Sequence, residues 1–194
     1  MPRAITIIRD EHRALAAVLR GLQYVVADAR ESGTAPDFGL LHAMHNYIEA
    51  FPDRLHHPKE DDYVYRLLRL RTNEGTDVLN LLKEEHEAEA GWLKSLRAAI
   101  EACERDPAGA FEPLAAEVEV YVANHFEHMN KEEDIILPLA ERVLTAEDWA
   151  EIDAAFADNG DPLVGVGTQK QFRELFRRIV NLMPAPHGLG PARK

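Results

Sequence analysis

The chain has 194 residues, 46 % of them hydrophobic and 29 % charged, a composition typical of a soluble globular protein. It has 22 lysines and arginines against 34 aspartates and glutamates, and its formal net charge is −12. This negative balance argues against binding to nucleic acid or to anionic lipid, because both ligands require clustered cations. The single cysteine, Cys103, excludes a disulfide framework within one chain.

The N-terminal apolar run is too short for a secretory signal, since Arg9 already interrupts it. No stretch approaches the roughly 18 apolar residues that a membrane span requires. We therefore expect a cytoplasmic protein without a membrane segment, and the lone Cys103 suits a reducing compartment.

Apolar residues recur at steps of three and four in four long segments, at about residues 4–30, 37–70, 76–104 and 111–143. Pro52 and Pro58 interrupt the second segment and predict kinks, because proline cannot donate a helical hydrogen bond. Short turns join the segments, which favours antiparallel neighbours. The sequence therefore predicts an all-α fold, an up-down-up-down four-helix bundle over residues 1–144.

A C-terminal helical extension is predicted over residues 145–183, followed by a Pro/Gly-rich tail over 184–194. Thr145 is placed to cap a short helix, and an amphipathic helix is predicted at about 168–182 after a loop at 159–167. Residues 168–194 contain six lysines and arginines against one glutamate, a balance of +5, so the remainder carries −12 − 5 = −17. We expect this basic segment to dock on the acidic bundle, or to join two copies of the chain as a homodimer.

The helical region consists of two sequence repeats. A shift of 74 residues places Glu11-His12 on Glu85-His86, and a shift of 72 residues places His56-x-x-x-Glu60 on His128-x-x-x-Glu132. Each half is thus a helical hairpin with one histidine on its first helix and a His-x-x-x-Glu pair on its second. Unrelated core histidines would not be expected to recur at matching places in both halves.

Residues four apart lie on the same side of a helix, so the histidine and glutamate of each pair point the same way. His12 and His86 each interrupt an apolar stripe, which directs them into the bundle. Unpaired burial of such groups costs several kcal/mol each, and coordination of a metal removes that cost. The predicted metal ligands are therefore His12, His56, Glu60, His86, His128 and Glu132. A core held by hydrogen bonds alone is the alternative.

The same register separates these ligands from other polar residues. His57 aligns with Met129 and is predicted to be peripheral, and His42, His45 and His125 are not expected to bind metal. Glu89 is open to two interpretations, a further ligand of the second metal or a partly exposed residue at a helix edge. Glu11 and Glu85 precede ligand histidines and are interpreted as solvated helix residues, the alternative being a relay for protons or iron.

Imidazole and carboxylate ligands without thiolate suit iron, manganese or zinc. Six ligands are too many for one tetrahedral zinc ion, so two ions are predicted. His12 and His56 would bind one ion, and His86 and His128 the other. Glu60 and Glu132 would bridge them together with an oxo or hydroxo group, leaving an open position for a small ligand.

This pattern resembles the hemerythrin-like, or HHE cation-binding, family over about residues 4–143. The resemblance implies two non-haem iron ions in a four-helix bundle, with manganese or zinc as substitutes. It further implies a protein that binds, senses or handles oxygen, nitric oxide or iron, with a diatomic molecule as its ligand. The alternative is a di-iron enzyme of iron–sulfur cluster repair or of peroxide or nitric oxide detoxification, so enzymatic activity stays open.

Two departures from the oxygen carriers of the family bear on this choice. Ala90 stands where they have a second histidine on the third helix, and the fourth helix carries His128-x-x-x-Glu132 in place of His-x-x-x-x-Asp. With one histidine fewer, the site is expected to be more open, which argues against reversible oxygen carriage.

Overall fold

A computed structural model describes residues 2–157, 170–183 and 189 of the chain. Regular structure in these residues is entirely helical, which confirms the predicted all-α fold with additional C-terminal helices. The helices are α1 (Arg3–Ser32), α2 (residues 38–71), α3 (Thr76–Arg105), α4 (residues 107–143), α5 (Ala146–Ala157) and α6 (Lys170–Leu182).

Helices α1 to α4 pack around the bundle in the order of the chain. Each contacts the next one, and α4 returns to contact α1, which closes the four-helix arrangement. Tight turns make the antiparallel reversals: Gly33 follows α1 at φ 66° and Gly75 precedes α3 at φ 73°. Both angles lie in the left-handed region, which glycine adopts without the penalty of a Cβ atom.

Helix α2 runs through both of its prolines instead of breaking. It consists of α-helical Phe38–Ile48, a π-helical segment Glu49–His56, a short α-helical piece His57–Lys59, a second π-helical segment Glu60–Tyr65, and α-helical Arg66–Arg71. Pro52 lies inside the first π-helical segment. The wider turn accommodates the missing N–H and the bulk of the ring, so the predicted interruption becomes a local change of helical pitch.

Helix α4 contains a third π-helical segment at Glu132–Ile136, between α-helical Pro107–Lys131 and Leu137–Val143. Glu60 and Glu132 therefore each begin a π-helical segment, at equivalent places in the two halves of the chain. Such segments are frequent at functional sites because they redirect side chains locally. Here they occur next to the predicted ligands.

Two apolar clusters fill the bundle on either side of a polar layer. The larger contains Leu19, Met44 and Leu96, whereas the smaller contains Ile8 and Leu82. The buried histidines and glutamates of the predicted site lie between them along the helices. Burial of the apolar faces supplies the main driving force for folding and holds the polar groups in fixed positions.

The extension helices pack on the bundle of the same chain. Ile152 and Phe156 of α5 join the smaller apolar cluster, and Leu175 and Ile179 of α6 join the larger one. Thr145 caps α5 as predicted, because its hydroxyl accepts a hydrogen bond from the Asp148 N–H.

The limits 1–144, 145–183 and 184–194 stay predictions. The predicted loop at 159–167 lies outside the described residues, as does the predicted tail apart from residue 189. Among the described helices, none combines the length and the apolar character that crossing a bilayer requires.

Candidate metal centre

The four histidines predicted as ligands lie in two pairs inside the bundle. The Nε2 atoms of His12 on α1 and His56 on α2 are 3.3 Å apart. The Nε2 atoms of His86 on α3 and His128 on α4 are 3.1 Å apart. Each helical hairpin therefore contributes one pair of imidazoles, in the arrangement that the sequence repeat predicts.

Glu60 lies between the two pairs. Its Oε1 atom is 3.2 Å from Nε2 of His56 and 4.0 Å from Nε2 of His12. Its Oε2 atom faces the other way and is 3.7 Å from Nε2 of His86. One carboxylate thus presents one oxygen to each pair, which is the orientation that bridging requires.

Glu132 contacts both pairs through a single oxygen. Its Oε2 atom is 3.2 Å from Nε2 of His12 and 3.5 Å from Nε2 of His128. The hydroxyl of Tyr65 donates a hydrogen bond to the other oxygen, Oε1. Tyr65 therefore fixes the rotation of this carboxylate, a role that no motif or spacing in the sequence indicates.

The outer nitrogen of each α2 or α4 histidine faces a glutamate of its own hairpin. Nδ1 of His56 lies 2.6 Å from Glu11 Oε2, and Nδ1 of His128 lies 2.8 Å from Glu85 Oε2. Glu11 is buried and Glu85 is half-buried. The interpretation of both as solvated helix residues is wrong. Each carboxylate instead orients an imidazole so that its Nε2 atom points inward.

The outer nitrogens of the α1 and α3 histidines face the opposite hairpin. Nδ1 of His12 lies 3.0 Å from Glu133 Oε1, and Nδ1 of His86 lies 3.3 Å from Asp61 Oδ2. Glu133 and Asp61 each follow a candidate bridging glutamate, so these cross-links repeat the symmetry of the chain. An acidic residue directly after the glutamate in both halves was the available sequence signal.

The residues present fit a pair of cations. Glu60 Oε2 and Glu132 Oε2 are buried and have no hydrogen-bond partner, an arrangement that costs free energy unless a cation compensates it. Two imidazole nitrogens bound about 2.1 Å from one ion at right angles or slightly wider are about 3.0–3.2 Å apart. The observed 3.3 and 3.1 Å are close to that spacing. Ligand atoms of His12, His56 and Glu60 lie within 4.8 Å of one another, and so do those of Glu60, His86, His128 and Glu132.

The carboxylates favour protonated histidines when no metal competes. Burial lowers the pKa of His128, but Glu132, Glu85 and Glu60 together raise it to about 10. Burial likewise opposes protonation of His12, yet its close contacts with the carboxylates of Glu132 and Glu133 raise the pKa overall. A metal ligand must be a neutral imidazole, so cations entering this site would displace protons.

The prediction that His57 is peripheral is wrong. This residue is 6 % exposed, and its ring stacks on that of His86 with 4.2 Å between centroids and 15° between planes. Burial and the neighbouring histidines His86, His56 and His128 hold its pKa well below the usual value. The helix face 100° from His56 therefore points toward α3 and α4 and not toward solvent.

The interpretation of Glu89 as a partly exposed helix-edge residue is wrong, and its role as a further metal ligand stays a prediction. This residue is 1 % exposed, Tyr121 donates a 2.6 Å hydrogen bond to its Oε1, and His125 Nε2 lies 3.0 Å from its Oε2. Both oxygens thus have protein partners. Burial raises the pKa of Glu89, but His125 and Tyr121 outweigh burial and lower it.

The remaining histidines of the described residues lie away from the centre. His45 is held by the backbone carbonyl of Leu93 at 2.9 Å, and His42 pairs with Glu104 at 3.1 Å on the surface. His187 lies outside the described residues.

A family model described as "Hemerythrin HHE cation binding domain" matches residues 3–140 of the chain. This match covers the whole of α1 to α3, most of α4 and all six predicted ligands. No curated protein and no solved structure gives a significant match.

Proposed function

This chain belongs to the hemerythrin family of HHE cation-binding domains, and we propose that it is a non-haem di-iron protein. His12 and His56 hold one iron ion, His86 and His128 hold the other, and Glu60 and Glu132 bridge them. We further propose that the centre binds, senses or handles oxygen, nitric oxide or iron in the cytoplasm. Manganese or zinc would be substitutes at the same ligands.

The observation that carries this proposal is the pair of buried, unpartnered carboxylate oxygens among four inward-facing imidazole nitrogens. Glu60 Oε2 and Glu132 Oε2 are buried and make no hydrogen bond, so each needs a positive partner, which either protonated histidines or bound cations can provide. A hydrogen-bonded core can satisfy each histidine pair with one shared proton. It leaves these two oxygens without partners, whereas two cations satisfy nitrogens and oxygens together.

Iron would supply reversible redox chemistry and an open position for a small ligand. The surrounding side chains orient the ligand imidazoles and shield the centre from water. Outer carboxylates on Glu11, Glu85 and Glu133 hydrogen-bond to ligand imidazoles, fix these rings and raise their basicity toward a metal, while Asp61 lies 3.3 Å from Nδ1 of His86 without a hydrogen bond. The Phe156 ring of α5 meets the His56 ring edge to face at 6.3 Å and keeps water from that side of the centre.

An enzymatic role is the second candidate, in iron–sulfur cluster repair or in peroxide or nitric oxide detoxification. The hydrogen bond from Tyr65 to Glu132 favours it, because it places an oxidisable phenol in contact with a candidate bridging ligand. Anaerobic ferrous protein exposed to oxygen separates the two. A spectrum that reverses when oxygen is removed supports binding, whereas multiple turnovers of peroxide or nitric oxide support the enzyme.

The proposed centre is tested by the metal content of anaerobically purified protein. About two irons per chain are expected, and His56→Ala or Glu132→Ala should abolish the dinuclear centre. His42→Ala is the matched control, since His42 lies on the surface beside Glu104. One zinc ion per chain that persists in both site variants would contradict the proposal.

The role that we propose for the C-terminal helices is to cover the bundle. Their packing on α1 and α2 of the same chain supports this role. A homodimer formed through them stays a prediction, which sedimentation analysis of the full chain can test.

A further inference from the structure

His57 is the residue at the centre that the six predicted ligands leave unexplained. Its ring lies against His86 on one side, and its centroid is 5.5 Å from that of His128. One ring nitrogen from each of His57, His86 and His128 lies within 4.8 Å of the others. Two ligands on opposite sides of one ion are about 4.2 Å apart, so the three nitrogens span little more than one coordination shell.

We infer that His57 is a third imidazole ligand of the metal position formed by His86 and His128. The inference rests on the proposed function, because it adds a ligand to one of the two proposed ions. It makes the two positions chemically unequal, with two imidazoles in the first half and three in the second.

The hydrogen bonds of the buried histidines support this assignment. Outside the six predicted ligands, the other buried histidines of the described residues are His45 and His125. The carbonyl of Leu93 holds His45, and Glu89 together with the Tyr121 carbonyl holds His125. His57 differs, because its Nδ1 atom is buried and has no hydrogen-bond partner.

Coordination requires the His57 ring to turn out of its present stack on His86, because a metal lies in the plane of each imidazole that binds it. Such a turn breaks no hydrogen bond of His57 Nδ1, since this nitrogen makes none. Where Nδ1 is the nitrogen that binds, the ion also gives this buried atom the partner that it lacks. Stacking and coordination are therefore two arrangements of the same ring, and a metal at His86 and His128 selects the second.

The sequence repeat explains why only one half gains this ligand. Met129 stands at the position of His57 in the second hairpin, next to His128 as His57 is next to His56. It is 6 % exposed and belongs to the larger apolar cluster. A thioether suits soft cations, so Met129 does not provide the equivalent ligand for iron in the first half.

The test compares iron retention in the full-length protein and in three variants. His57→Phe keeps an aromatic ring against His86 but removes both nitrogens, so it separates stacking from coordination. His57→Ala covers the case in which the larger ring disturbs folding. Met129→Leu is the matched control at the same register of the other half. Circular dichroism and thermal melting of the metal-free forms establish that each variant is folded.

Iron per chain is followed during titration with a chelator, together with the Mössbauer spectrum of the iron-loaded protein. Wild type and Met129→Leu should hold two irons in two distinguishable environments. His57→Phe should lose one iron at a chelator concentration at least about tenfold lower, with the other iron retained as in wild type.

Three results would overturn the inference. If both His57 variants keep two irons with the chelator resistance of wild type, His57 is a packing residue and the proposed di-iron centre stands. Equal weakening of both irons also contradicts a ligand that serves one position. If wild-type protein binds no iron, the proposed function fails together with the inference.

Discussion

Glu11 is not a proposed metal ligand, so its replacement tests how a residue that contacts only a ligand supports the metal centre. Its carboxylate is 2 % exposed and lies 2.6 Å from Nδ1 of His56. In Glu11→Gln, the amide oxygen can still accept this hydrogen bond, so shape and packing survive while the charge is lost. The substitution therefore isolates the electrostatic support that the carboxylate gives to the imidazole.

The expected loss of iron affinity follows from what residues that hydrogen-bond to metal ligands generally contribute. Loss of such a partner lowers metal affinity by about 10–100-fold, which corresponds to about 1.4–2.7 kcal/mol. Since metal binds only the folded state, the stabilisation that iron confers falls by the same amount. For a chain of this size, 1 kcal/mol shifts the melting temperature by about 2–4 °C, so the iron-induced rise should shrink by about 3–11 °C.

Melting of the iron-loaded and metal-free forms is measured in wild type, in Glu11→Gln and in Glu119→Gln. Glu119 is exposed on α4 and serves as the control. The difference between the two forms cancels any effect of the substitution on packing. An unchanged iron-induced rise in Glu11→Gln would refute this reasoning, as would an equal drop in Glu119→Gln.

Three further substitutions probe the structure around the centre. Phe156→Ala should lower the free energy of unfolding in urea by about 3–5 kcal/mol, because Phe156 is fully buried; Phe176→Ala, at an exposed residue, should have little effect. The Arg71 guanidinium holds the pKa of Asp148 well below its usual value, so this pair stabilises the fold above about pH 4 and less as pH falls further. The stability gap between wild type and Asp148→Asn should therefore narrow from pH 6 to pH 3, and a constant gap would contradict the pair's contribution. Glu89→Leu should cost about 3–5 kcal/mol, since it strips His125 of its partner, yet leave two irons per chain; loss of one iron would identify Glu89 as a ligand.

The helices and the proposed ligands followed from local spacing. The four long apolar patterns matched the helices to within a few residues, because burying a helix against its neighbours imposes a period of 3.6. His56 with Glu60, and His128 with Glu132, lie on common helix faces, as four-residue spacing requires. The repeat then identified which histidines should converge.

Features that depend on how neighbouring helices pack were not predicted from the sequence, or were predicted wrongly. His57 stacks on His86 of another helix, and Tyr65 reaches Glu132 across the bundle. Neither contact has a signature in sequence spacing. The π-helical segments add to the difficulty, because one additional residue turns every later side chain by about 100° relative to an ideal α-helix.

The sequence by itself therefore determined the helical bundle, its twofold repeat and the six candidate ligands, since each rests on contacts within one helix or on comparison of the halves. The tertiary structure alone decided what supports those ligands. It placed Glu133 and Asp61 across the hairpins, paired Glu89 with His125, and turned His57 inward. Periodicity shows that a helix has a second buried face, but only packing decides which neighbour that face meets.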